Sequence, residues 1–291
     1  LVELVKFQQV KLDKVVILGI DCLGTYPVTA WQGAKDQPES VTGLLSGAVT
    51  GRIPMRGNMR AQEGLEFRAA CQMCEQPLPD GEHVALTIGL VGVERDKVYL
   101  KAEEELAAAM GWESDGAPSG RDGAKERLVA ARTEARDAAY AAFRERVSDE
   151  GSAPSMDGLL AEFSSCIRCH NCMINCPICY SRECIVRTPT FEHESQLYYQ
   201  WAERKGAVRM LSDTLLFHLT RLNHMVTSCV GCGMCTDACP VEIPVGTVFR
   251  AVGEQVQAIF DYHPGQSLEE AAPVQEFREE ELVTLGTRPR S

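Results

Sequence analysis

"CIRCHNCMINCPICY" fills residues 166–180, and "CVGCGMCTDACP" fills residues 229–240. In the first stretch Cys166, Cys169, Cys172 and Cys176, before Pro177, spell C-x2-C-x2-C-x3-C-P. In the second, Cys229, Cys232, Cys235 and Cys239, before Pro240, spell it again. The spacing has a physical reason. Three thiolates on one tight loop reach three corners of a cubane, and the fourth, where a proline redirects the chain, reaches a different one. Cys166, Cys169, Cys172 and Cys239 are therefore expected to hold one [4Fe-4S] cluster, and Cys229, Cys232, Cys235 and Cys176 the other.

This is the bacterial two-cluster ferredoxin run, and three rival readings are weaker. Disulfides suit small secreted scaffolds, whereas this chain has 291 residues, 13 cysteines and no visible export signal. Zinc also takes C-x2-C pairs, but two complete runs in one register exceed what a zinc site needs. Cys166-Ile-Arg-Cys169-His170 matches the attachment signature of a c-type haem. That haem would need export, and both cysteines already belong to the ferredoxin pattern. His170 is then a loop residue near a cluster. Cys179 and Cys184 are left over, as buried thiols or alternative ligands.

Composition narrows the class further. The chain is 45% hydrophobic and 24% charged, as in globular proteins. A formal net charge of −12 argues against binding nucleic acid or an anionic membrane surface. The longest apolar runs, Val15–Ile20 and Val84–Val93, are too short or too interrupted to span a bilayer, so no direct membrane insertion is expected. No signal peptide is visible, and the expected compartment is cytoplasmic. The chain begins at Leu1 rather than Met, which suggests a missing upstream segment or an unusual start.

Outside the cysteine runs, "KVVILGIDCLG" (14–24) reads as a buried strand entering a turn, and "HVALTIGLVGV" (83–93) as a second strand region. Residues 43–65 look like strand and turn material. "ESDGAPSGRDG" (113–123) reads as a loop. "AKERLVAARTEARDAAYAAFRERV" (124–147) reads as a helix, a solvated spacer packed on one face. "SDEGSAPSMDG" (148–158) is the best domain boundary. Residues 194–225 read as helical with a break at Gly206. Three cysteines remain: Cys71 and Cys74 form a C-x2-C pair, and Cys22 ends the first strand, where a buried structural cysteine is the usual explanation.

"VVILGIDCLGTYP" (15–27) and "CQMCEQPLPDGEHVALTIGLVG" (71–92) resemble the beta subunits of F420-reducing hydrogenase and F420-dependent formate dehydrogenase. The resemblance covers roughly residues 10–100. Residues 229–265 look more like the formate dehydrogenase branch, and the long 177–228 insert resembles the α-helical ferredoxin modules of succinate dehydrogenase and heterodisulfide reductase subunits. The resemblance implies that Cys22, Cys71 and Cys74 bind a third [4Fe-4S] cluster beside a flavin (FAD). Two departures stand out. The family's N-terminal segment, with a further cluster cysteine and much of the flavin and F420 pocket, has no counterpart here. Glu75-Gln76-Pro77 also replaces the acidic-then-aromatic pair that often follows the C-x2-C.

The expected fold is an α/β flavin-subunit-like domain over 1–150, then a mainly α-helical ferredoxin-like domain over 158–265, then an extended tail over 266–291 that docks a partner. The expected function is electron transfer within an anaerobic oxidoreductase complex. Electrons would pass between a catalytic formate dehydrogenase or hydrogenase subunit and a flavin, F420 or a heterodisulfide-reductase-like subunit. No Ser/His/Asp or paired-carboxylate constellation stands out, so the chemistry belongs to cofactors. The alternative is a flavin-free relay and docking module with no substrate of its own.

Overall fold

The computed structural model describes residues 1–28, 60–61, 65–79, 83–94, 97–148, 155–179, 181, 183–189, 191, 195–206, 211 and 213–277. Strand and turn material expected over 43–59 lies outside them, as does most of the boundary expected at 148–158.

The N-terminal part holds a small mixed sheet. Strand β1 (Leu18–Ile20) pairs in parallel with β4 (Leu86–Gly89), which pairs antiparallel with β5 (Tyr99–Ala102). A parallel pair needs a long crossover. This one carries the short hairpin β2 (Arg60–Ala61) and β3 (Leu65–Glu66), then one helical turn, α2 (Ala69–Gln72). The register aligns Ile20, Ile88 and Leu100 on one face, with Gly19, Thr87 and Gly89 on the other. The buried face is the one bearing glycines: Leu18 and Ile20 are 57% and 54% exposed. The apolar run at 15–20 is thus not a buried strand. A β-carbon on Gly89 would sit 2.5 Å from the Arg121 guanidinium, so the glycine makes room for a charged side chain on the inner face.

Helices α3 (Glu104–Met110) and α4 (Arg121–Val147) follow, with α3 closed by Gly111 in the left-handed conformation. At 27 residues α4 is about 40 Å long. The sequence reads it as a spacer packed on one face. It does bury one face, through Leu128, Arg132, Tyr140, Phe143 and Val147. It is more than a spacer, however, because it packs on α2 as well as on the helical part.

That helical part comprises α5 (Met156–Glu162), α6 (Asn171–Ile174), α7 (Ser195–Lys205), α8 (Thr214–Met225), α9 (Met234–Asp237) and α10 (Val245–Ile259). Ser155 caps α5, its hydroxyl accepting the Gly158 N–H at 3.0 Å. Gly206 ends α7 as the sequence suggests. The core gathers Tyr140, Phe143, Phe163, Phe217, Val248 and Phe249 around Cys172 and Met173. Each buried aromatic or aliphatic side chain there contributes about 1.5–3 kcal/mol.

Residues 264–277, which run into the expected tail, carry no helix or strand and lie against α1 (Val2–Lys6). Tyr262 Oη and the Gly265 N–H both donate to Glu3, at 2.7 and 2.9 Å, and the Gln275 amide donates to the Lys6 carbonyl at 2.6 Å. Val274 and Phe277 stay exposed. Leu282, Val283 and Leu285 lie outside the described residues. Among the described residues, no helix is long and apolar enough to cross a membrane.

Candidate metal centre

The two cysteine loops share one backbone plan. In the second, Gly231 and Gly233 flank Cys232 at φ 70° and 72°. In the first, Arg168 and His170 flank Cys169 at φ 57° and 60°. Left-handed residues at these two positions curl three cysteines around a common point before a single turn of helix, α6 or α9. Glycine does this freely; a side chain costs roughly 1–2 kcal/mol. The first loop offsets that cost with contacts. Arg168 pairs with Asp213, its guanidinium lies 5.0 Å from the Phe217 ring centre, and His170 stacks on Phe217 at 4.8 Å. His170 is thus a loop residue held in the core wall.

The fold then crosses the runs. Cys166 has the sulfurs of Cys169 and Cys239 as neighbours, and Cys172 has those of Cys166, Cys169 and Cys239. Cys229 neighbours Cys176 and Cys232; Cys235 neighbours Cys229, Cys176 and Cys232. Packing of α6 on α9 brings the fourth cysteine of each run to the other run's loop. Cys179 has both Cys176 and Cys184 as neighbours.

Burial pushes the Cys172 thiol up to about 11 and the Cys235 thiol up to about 12, and raises Cys166, Cys176 and Cys229 for the same reason. Such thiols are protonated and inert at neutral pH unless a metal displaces the proton. All thirteen cysteines are free of disulfides. Among the described residues, no three His, Cys, Asp or Glu are grouped to hold one metal ion. Two neighbourhoods of buried thiols, each completed by a cysteine from the other run, fit the ligand pattern of a two-cluster ferredoxin.

Side chains that the sequence reading missed complete the site. On α8, His218 and Arg221 lie three residues apart on one face, both almost fully buried. Arg221 donates through Nη1 to Cys172 Sγ at 3.0 Å and through Nη2 to the Cys172 carbonyl at 2.9 Å. His218 Nε2 lies 3.3 Å from Cys166 Sγ, and the ring stacks on Phe163 at 4.0 Å. Burial, then the charges of Arg221 and Arg168, lower its pKa to about 3. The imidazole is neutral, with one N–H to give. Backbone N–H groups of Arg168 and Ile243 point at Cys166 and Cys239 at 3.4 and 3.3 Å. The sequence signal was His-x-x-Arg inside an otherwise apolar helix stripe.

Cys22, Cys71 and Cys74 also converge, since Cys74 has the sulfurs of both others as neighbours. Cys22 is exposed, which removes the buried structural reading for it. Thr25 points its backbone N–H at Cys71 Sγ at 3.4 Å, and Arg132 donates to the Cys22 carbonyl at 3.2 Å. Beside Cys22, the buried Asp21 carboxylate accepts the N–H groups of Leu90 and Val91, each at 2.9 Å, and faces Arg121 at 2.9 Å. This set adjoins the Cys229 loop. Arg68 donates to the Cys232 carbonyl at 3.2 Å and pairs with Asp237, while Gly233 lies directly against Ala70. Arg250 joins the Cys229 carbonyl at 2.8 Å to Glu75 at 2.7 Å. A cavity of about 240 Å³ between them is bordered by Cys74, Tyr140, Val230 and Arg250. The sets thus stand in the order Cys22/Cys71/Cys74, then the Cys229 set, then the Cys166 set.

Residues 162–243 match the 4Fe-4S dicluster domain family. The chain is 26% identical over 282 residues to the F420-dependent formate dehydrogenase subunit beta of Methanocaldococcus jannaschii, covering 90% of this chain and 70% of that protein. It is 26% identical over 297 residues to the F420-dependent formate dehydrogenase 1 subunit beta of Methanococcus maripaludis, covering 94% of this chain and 71% of that protein. The similarity runs well beyond the cysteine runs, and the chain is an iron–sulfur protein related to those beta subunits.

Proposed function

We propose that this chain is the electron relay of a formate-oxidising complex. The coarser statement rests on the comparisons: it is an iron–sulfur electron-transfer subunit of an oxidoreductase. On the finer reading, Cys166, Cys169, Cys172 and Cys239 hold one [4Fe-4S] cluster, and Cys229, Cys232, Cys235 and Cys176 hold a second. Cys22, Cys71 and Cys74 supply three ligands of a third. Bound [4Fe-4S] clusters supply one-electron couples whose potentials follow charge, sulfur hydrogen bonds and burial. The chain's own residues curl the loops, bury the sulfurs and direct N–H donors at them. A catalytic formate dehydrogenase or hydrogenase subunit stands at one end; a flavin, F420 or a heterodisulfide-reductase-type subunit stands at the other. The supporting observation is the crossed convergence of the two runs.

A second reading is a flavin-free relay with no substrate of its own. Anaerobic iron and sulfide analysis together with flavin extraction tests both. About eight irons belong to the two runs and about four more to the third set, from four per cubane. Stoichiometric FAD supports the flavin subunit; its absence from an iron-replete complex supports the relay. A zinc-loaded, iron-free protein overturns the proposal.

A further inference from the structure

We propose that Arg221 is a tuning residue that raises the reduction potential of the Cys166/Cys169/Cys172/Cys239 set selectively, making it the electron sink of the relay. This rests on the reading that both runs hold clusters. The geometry comes first. Arg221 is 3% exposed, and its fork closes on Cys172 alone, Nη1 on the sulfur and Nη2 on the carbonyl. The guanidinium carbon lies 5.1 Å from the Phe249 ring centre and 5.6 Å from that of Phe217, so aromatic faces wall off its remaining sides.

Burying a guanidinium costs several kcal/mol unless a negative charge answers it. Among the described residues no carboxylate does so: the nearby Asp213 is engaged by Arg168. The Arg221 Nε has no hydrogen-bond partner. The sulfurs near Arg221 are those of Cys172 in the first set, Cys176 and Cys235 in the second, and Cys179, and the direct bond goes to Cys172 alone. The charge is therefore answered by the first set above all.

The consequence has a definite sign. Adding one electron makes a set more negative, and a fixed positive charge in low dielectric stabilises that form. When one electron passes from the Cys229 set to the Cys166 set, one is oxidised by one electron and the other reduced by one. No bond forms or breaks, and no proton moves at Arg221, because arginine stays protonated. His218 sets a neutral imidazole nitrogen 3.3 Å from Cys166 Sγ, while the sulfurs of Cys229 and Cys176 take donors from the backbone at Gly231, Ile178 and Cys179. On the Cys229 loop, Arg250 and Arg68 bond only the carbonyls of Cys229 and Cys232 and are paired with Glu75 and Asp237, so among the described residues it is the guanidinium of Arg221, bonded to sulfur without a carboxylate partner, that distinguishes the two loops.

The test is a potentiometric titration of the full chain, prepared anaerobically and followed by electron paramagnetic resonance. Cys169→Ser and Cys232→Ser assign the signals to their sets. Arg221→Gln and Arg221→Met both remove the charge; the second has no polar end to bury, so it serves if the first folds poorly. Each is expected to lower the midpoint of the Cys166 set by at least tenfold in its one-electron equilibrium, 59 mV, and that of the Cys229 set by less than half as much. Arg221→Lys, which keeps the charge, should recover most of the drop. Unchanged midpoints, or equal shifts in both sets, in protein with full iron content overturn the inference. A wild-type chain without iron overturns instead the reading on which it rests.

Discussion

Asp21 is the residue next to Cys22 on which the N-terminal site hangs, and Asp21→Ala should detach it. The carboxylate is 2% exposed and takes four hydrogen bonds: the Leu90 and Val91 N–H groups at 2.9 Å each, and Arg121 Nη1 and Nη2 at 2.9 and 3.3 Å. Removing it strands a guanidinium that is itself 4% exposed, leaving it the Val91 carbonyl and the face of Tyr99. Breaking a buried ion pair from one side costs about 3–5 kcal/mol. With urea slopes of about 1–3 kcal/mol per molar, the midpoint should fall by about 1 M or more. The damage is local, because Asp21 joins the end of β1 to the loop after β4. Iron attributed to Cys22, Cys71 and Cys74 should be lost, and that of the two runs retained. Replacing both partners, Asp21→Val with Arg121→Met, leaves no orphan charge and should recover part of the stability, giving a coupling well above the roughly 0.5 kcal/mol seen for independent sites. If Asp21→Ala shifts the midpoint by less than about 0.3 M, or drains iron equally from all sets, the buried pair does not anchor Cys22.

Gly233→Ala should cost about 1–2 kcal/mol for its left-handed backbone alone, and more because the new methyl runs into Ala70; a thermal midpoint equal to wild type would contradict the close approach of α2. Cys74→Ser should remove about four irons, one cubane's content, with the two runs still loaded; an unchanged iron count would return Cys22, Cys71 and Cys74 to simple thiols. Deleting residues 266–291 should weaken assembly with the partner while leaving cluster content intact, and deleting only 278–291 should do the same without touching the Gln275–Lys6 contact. Equal co-purification of both truncated chains with the partner would remove the tail from the docking surface.

The cysteine runs were legible because ligand spacing is a local property: two identical runs, each closing on proline, carry their own geometry. The long helix, expected at 124–147 and found one turn longer at 121–147, and the break at Gly206 were legible from propensity and from one glycine. The N-terminal strand was misread. Val15–Ile20 looks buried on composition, but burial is decided by what lies across the sheet, and Arg121, a hundred residues away, occupies the glycine face. Long-range partners of this kind explain the other omissions. Arg221 and His218 sit between the runs in sequence and beside them in space, yet only packing of α8 shows that their polar ends meet sulfur. Arg68 and Arg250, which tie the first cysteine set to the second, carry no motif at all.

The crossed pairing of the two runs is the centre of this account, and one comparison measures it. Spectra of the reduced chain should be recorded for Cys239→Ser beside Cys169→Ser and Cys232→Ser. Because Cys239 lies with Cys166, Cys169 and Cys172, its substitution should alter the same signal as Cys169→Ser and leave the signal altered by Cys232→Ser in place. If Cys239→Ser instead alters the Cys232 signal alone, each run closes on its own fourth cysteine and the proposed relay geometry is wrong.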